Sequence, residues 1–210
     1  MILSHEKKFI FIHIYKVAGT SVRRILARYD NLSKDDFPLY ENAKFWLGSR
    51  YGIFSDLSLN HIRASKVKRF IPRDQYNSYF KFSFVRNPWD WQVSLYHFML
   101  QSTDHPQHKI IHKMKGFDEY IEWRINSDFE LQKDFLYDEN DNLIVDYIGK
   151  FENLQEDFNE ICLRLEIKPV DLPVTNKSKH KHYSEYYNKS TRDKIYEAYK
   201  TDIDYFHYDF

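Results

Sequence analysis

Apolar positions fall in short continuous runs near the start of the chain and in spaced stripes further on. Lys8–Ile14 (KFIFIHI) is apolar and rich in β-branched residues, the pattern of a buried strand. Tyr79–Val85 (YFKFSFV) sets Tyr79, Lys81 and Ser83 against Phe80, Phe82 and Phe84, which predicts a second strand. Each strand is followed by a turn and then by helical spacing. After the loop Tyr15–Gly19, Thr20 or Ser21 opens a helix that puts Val22, Ile25 and Leu26 on one face. Pro88 suits the first turn of a helix, which runs to about Gln101 with Trp89, Val93, Tyr96 and Leu100 in one stripe. Further helices are expected at Ser65–Phe70, stopped by Pro72, at Phe117–Asn126 and at Ser190–Lys200. Asn153 and Glu156 read as a capping box for a helix burying Leu154, Phe158, Ile161 and Leu165. The cluster Asp138–Asn142 reads as the turn of a hairpin within Leu136–Tyr147. Residues 30–60 are aromatic and irregular. Strand–loop–helix units imply an α/β fold, a central parallel sheet flanked by helices.

A length of 210 residues, with no repeat and no linker, gives one domain spanning 1–210. The single cysteine, Cys162, excludes an internal disulfide framework and a multi-cysteine metal site. No run reaches the ~20 apolar residues of a membrane span. Phe9–Ile12 is too short for the core of a signal peptide. The expected location is therefore the cytoplasm.

Lys+Arg and Asp+Glu are both 31, and this balance argues against a nucleic-acid partner. The balance is uneven along the chain. Residues 1–28 hold six Lys and Arg against Glu6 alone, and residues 61–86 hold seven against Asp74 alone. Residues 117–160 hold three against fourteen acids. Two basic blocks in a neutral chain focus positive potential locally.

Both blocks contain a strand-to-helix turn. In His13–Ser21 (HIYKVAGTS), the helix start offers backbone N–H groups to an anion and Gly19 lets a ligand approach. Lys16 adds a full charge, and Thr20 and Ser21 add hydroxyls. A solvated lysine with a capping Thr would look the same locally. The loop is not G-x-x-x-x-G-K-[ST], because Lys16 precedes the only glycine, and the second strand ends in Arg86 rather than a magnesium-binding carboxylate. In the second turn, Arg86 lies at the carboxyl end of a strand, where α/β folds bind ligands, and Ser94 leans back along the helix toward it. The structural alternative there is an Arg86–Asp90 pair.

Taken together, HIYKVAGTS and FSFVRNPWDWQVSLY resemble the two donor motifs of sulfotransferases that use 3′-phosphoadenosine 5′-phosphosulfate (PAPS). The closest branch contains the heparan sulfate 2-O- and chondroitin/dermatan-type carbohydrate sulfotransferases. Weaker similarity covers Phe151–Leu154, Asn176–Ser178 and Asp202–Phe206. The family commonly has Pro-Lys-Thr where this chain has Tyr15-Lys16-Val17, which leaves the lysine in place but removes proline's stiffness.

The resemblance implies sulfuryl transfer from PAPS to a hydroxyl acceptor, a glycan or glycoconjugate, with PAP as product and no metal. Lys16, Ala18, Gly19, Thr20, Ser21 and Val22 would hold the 5′-phosphosulfate, and Arg86 and Ser94 the 3′-phosphate. Ser178 and Lys181, in the basic tail Asn176–Lys181, would close over that phosphate. His61 falls between the motifs, where related enzymes keep a catalytic histidine, and is the expected general base beside Lys16. His97 is the alternative base, and His13, inside the first strand, reads as structural. Cys162 reads as core, and so do the tryptophans for the most part, with a sugar platform as the alternative for Trp46. His105 and His108 lack further ligands at metal spacing. The rival functions are an atypical nucleotide kinase and a non-enzymatic module binding nucleotides or anionic glycans.

Overall fold

The computed structural model describes residues 1–31, 61–173 and 181–210. Trp46, Ser178 and His180 lie outside the described residues. In chain order the regular elements are β1 (Ile2–Ser4), β2 (Phe9–Phe11), α1 (Gly19–Leu26), α2 (Ala64–Phe70), α3 (Arg73–Ser78), β3 (Phe80–Val85), α4 (Pro88–Gln101), α5 (His108–Ile111), α6 (Phe117–Ser127), β4 (Tyr147–Lys150), α7 (Leu154–Arg164), α8 (Lys189–Ala198) and α9 (Lys200–Phe206). They divide into two compact units. The first holds Met1–Val85 and Asp134–Pro173, and the second holds Arg86–Lys133 and Val174–Phe210.

The first unit carries a four-stranded sheet in the order β1-β2-β3-β4. β2, β3 and β4 run parallel, with Phe11 opposite Phe82 and Val85 opposite Lys150. β1 pairs antiparallel with β2, Ile2 opposite Phe11. The sheet is therefore mostly parallel, with an added antiparallel edge that the sequence reading missed. The α/β class stands.

Both sets of alternating residues in β3 are buried: Phe82 and Phe84, and also Lys81 and Ser83. The polar members are fully partnered, as burial requires. Ser83 Oγ donates to Ile12 O at 2.7 Å. Lys81 Nζ donates to Tyr76 O and Tyr79 O and pairs with Asp146 at 2.9 Å.

The expected hairpin is reduced to one antiparallel bridge, Tyr137 to Leu143, before the chain enters β4. The expected capping box at Asn153 is absent. A 3-10 turn, Phe151–Asn153, leads into α7, and the Asn153 side chain caps nothing. A box forms instead at α8, where Asn188 Oδ1 accepts from Thr191 N at 2.9 Å and Thr191 Oγ1 accepts from Asn188 N at 3.1 Å.

The second unit is helical and centres on α4. Asn87 caps this helix by accepting from Trp89 N at 3.0 Å, and Pro88 occupies its first turn. Its first two turns are buried nearly all round, through Trp89, Trp91, Val93 and Leu95. The expected single stripe is thus too narrow, and Tyr96 and Leu100 are only half-buried. Tyr120 of α6 and Tyr199, at the junction of α8 and α9, are also buried, with Tyr199 edge-on to Trp91 at 6.2 Å. Cys162, on α7 in the first unit, is buried, and burial pushes its thiol up in pKa, which suits core rather than nucleophile. Among the described residues, no helix is long and apolar enough to cross a membrane.

Candidate active site

The first turn leaves β2 and enters α1 within the first unit. Two of its residues, Lys16 and Ala18, take the left-handed backbone conformation at φ 62°. A non-glycine residue there costs on the order of 1–2 kcal/mol, and such residues cluster at ligand sites. The turn is held from below. Val17 is fully buried, and the Tyr15 ring packs edge-on to His61 at 5.7 Å and to Phe135 at 6.0 Å. The stiffness that proline would give is supplied here by aromatic packing. Gly19 is required by contact, because a Cβ there would overlap the His13 ring.

The helix start narrows the donors available to an anion. Ser21 N and Val22 N close the first turn on Ala18 O at 2.9 and 3.3 Å, and Ser21 Oγ donates to Pro173 O at 2.7 Å. The backbone N–H groups of Gly19 and Thr20 come before any carbonyl four residues back within α1, so they are the ones an anion can take. Thr20 is exposed, and Ala18 and Lys16 are half-buried.

His61 packs against this same turn. Its Nδ1 lies 3.0 Å from His13 O, and its ring is 4.6 Å from the His13 ring. A carbonyl only accepts, so Nδ1 carries the proton. In the neutral ring the lone pair then sits on Nε2, as a general base requires. His13 is 6% exposed and stacks on Phe11 at 5.8 Å, which fits its structural reading.

The second turn lies in the second unit. Arg86 and Ser94 are 7% and 2% exposed. Arg86 Nε donates to Asp90 Oδ2 at 2.8 Å, which is the pair foreseen as the structural alternative. Ser94 stands one helical turn beyond Asp90, on the same face of α4. His97 lies in this unit, with the ring of Tyr96 at 5.4 Å and that of Tyr186 at 5.1 Å. Lys181 is exposed and pairs with Glu185 at 3.3 Å.

Residues 1–209 match the family model described as "Sulfotransferase family". The chain belongs to the sulfotransferase family. Among solved structures it is similar to mouse sulfotransferase SULT7A1 complexed with PAP, at 12% identity and a TM-score of 0.58, over 96% of this chain and 86% of that one. A retinol dehydratase in complex with androsterone and inactive cofactor PAP matches at 10% identity, over 96% and 82% of the two chains, with a TM-score of 0.39, too low to carry an argument. No curated protein matches.

Two features of this sulfotransferase were not visible in its sequence. One is the wedge that Tyr15 forms against His61. The other is Gln132, whose side-chain amide bonds both the N–H and the C=O of Arg86. Tyr15 stands in the donor motif but its packing partner lies far along the chain, and Gln132 stands in no motif at all.

Proposed function

We propose that the chain transfers the sulfuryl group of PAPS to a hydroxyl of a carbohydrate. The observation that supports this reading is the attachment of His61 to the turn bearing Lys16, through His13 O and the Tyr15 ring. A base with its lone pair on Nε2 is then anchored to the same loop that carries the lysine and the N–H groups suited to the opposite end of the same reaction. The SULT7A1 structure, a complex with PAP, supports the choice of donor.

In the displacement, the acceptor oxygen forms a bond to sulfur while the bond from sulfur to the bridging oxygen of the nucleotide's phosphate breaks. His61 Nε2 takes the acceptor proton. Lys16 and the N–H groups of Gly19 and Thr20 stabilise the charge that grows on the bridging oxygen, where positioned donors contribute most. Ala18, Ser21 and Val22 shape the turn around that group. Arg86 and Ser94 bind the 3′-phosphate, and Ser178, with a hydroxyl, and Lys181, with a charge, close over the same group. Residues 1–210 act as one sulfotransferase domain, no metal takes part, and the single thiol fits a reducing cytoplasm.

The test is a labelled-sulfate transfer assay with PAPS, run with and without EDTA, over sugars, phenols and lipid hydroxyls. Labelled sugar product in both conditions is expected. Labelling of phenols or lipids alone would overturn the carbohydrate assignment. Absence of transfer together with no thermal stabilisation by PAP would overturn the whole reading.

A further inference from the structure

The pairing of β3 with β4 ends at Val85 opposite Lys150, and among the described residues the strand ladder does not extend to Arg86. Gln132 takes that place. Its Oε1 accepts from Arg86 N at 2.9 Å, and its Nε2 donates to Arg86 O at 2.8 Å. One side-chain amide thus mimics a neighbouring strand for a single residue. Gln132 is held in turn by Asp202 in the first turn of α9. Asp202 Oδ2 accepts from Gln132 N at 2.8 Å, and Oδ1 accepts from Lys133 N at 2.9 Å. Gln132 and Asp202 are both fully buried. On the other side, Asp90 grips Arg86 Nε. The arginine is therefore fixed at its backbone by one partner and at its side chain by another.

We propose that Gln132, backed by Asp202, is a positioning residue for Arg86, and through it sets recognition of the donor's 3′-phosphate. The inference rests on the reading of Arg86 as the 3′-phosphate ligand. A guanidinium fork recognises phosphate through two parallel hydrogen bonds, and that geometry depends on where the backbone aims the side chain. Misplacement by about 1 Å is enough to cost on the order of a hundredfold where oriented contacts matter. A buried pair of amide bonds at the base of the arginine removes this freedom before the ligand arrives, so less ordering remains to be done on binding.

The experiment compares PAP with 5′-AMP, which lacks only the 3′-phosphate, by calorimetry on wild type, Gln132→Leu and Asp202→Asn. Wild type is expected to bind PAP far more tightly than AMP. In either variant that folds, the PAP/AMP affinity ratio is expected to fall by about tenfold or more, the scale of one lost charge-assisted hydrogen bond, while AMP affinity stays near wild type. A purely structural role would weaken both ligands together or neither, and an unchanged ratio in a folded variant overturns the inference. If neither variant folds, the network is structural and the inference is likewise overturned. Wild type that fails to prefer PAP defeats instead the underlying assignment of Arg86.

Discussion

The two strand-to-helix turns share a plan and differ in how they are held. The Lys16 turn presents backbone, with two left-handed residues, a glycine pressed on a histidine ring and an exposed Thr20 at the helix start. The Arg86 turn presents a side chain that is almost entirely buried and already engaged with Asp90. Under the roles proposed above, the difference is what the two tasks would require. A group that stabilises charge appearing during reaction must approach a changing centre, so the donors sit near the surface on a stiff frame. A group that recognises a fixed charge gains most from being pre-organised, and the cost of burying it is met by its partner. It follows that damage to the first turn should cost rate, and damage to the second should cost both binding and stability.

The largest expected effect is on rate. Lys16→Ala should lower kcat by about 10²–10³ with the melting temperature unchanged, because a half-buried lysine at a turn supports little of the core. Steady-state kinetics beside thermal melting measures this split. A variant with wild-type turnover would remove Lys16 from the chemistry.

Arg86→Ala should behave in the opposite way. It strands the Asp90 carboxylate, which is only 16% exposed, and severing such a buried pair costs on the order of 3–5 kcal/mol. PAP affinity should fall with it, toward the affinity for AMP. Denaturant unfolding and calorimetry give the two numbers. If PAP affinity drops while stability holds, the pair with Asp90 contributes less than its burial implies, and the contrast between the turns weakens.

Gly19→Ala sharpens the comparison from within the first turn. The added Cβ meets the His13 ring, itself packed against Phe11 and His61, so the ring has little room to yield. Overpacking of this kind costs about 1–3 kcal/mol. Because His13 O holds His61, kcat should fall as well. An unchanged melting temperature would show that the floor of the turn is softer than its packing indicates.

How far the sequence reveals this site depends on the kind of interaction. The placement of Lys16, Gly19, Arg86 and Ser94 at two strand-to-helix turns is legible, because they occupy fixed offsets around a strand end and a helix start; their roles remain those proposed above. The helices α4 and α6 are legible from Pro88 and from apolar spacing. Gln132 and Asp202 are not, because their meaning comes from hydrogen bonds across 46 and 70 residues of chain. β1 is missed because three residues carry no period. The alternation in β3 does not reveal that Lys81 and Ser83 are buried, because their partners come from other elements. The misplaced cap is instructive in the same way. Asn153 and Asn188 both stand three residues before a polar side chain, but Asn153 is the last residue of a 3-10 turn, whereas Asn188 has the extended backbone of a cap.

The smallest expected effect serves as the control for both turns. Asp138 closes the turn after Tyr137 by accepting from Asn142 N and Asn140 N, both at 3.0 Å. These bonds, the one from Asn142 foremost, hold its carboxyl below the ordinary value of 3.8. A depressed carboxylate contributes stability that is present above the ordinary carboxylate range and lost as pH falls through the lowered value. The melting temperature of Asp138→Ala should therefore lie below wild type at pH 7, and the gap should close as pH drops below about 4. Turnover and the PAP/AMP ratio should not move, because the side chain touches neither turn. A gap that stays constant down to pH 3 would mean that the carboxylate's charge contributes nothing to the fold. A change in the PAP/AMP ratio would mean that stability and phosphate recognition are coupled across the whole chain, and the separate roles assigned to the Lys16 and Arg86 turns would then have to be given up.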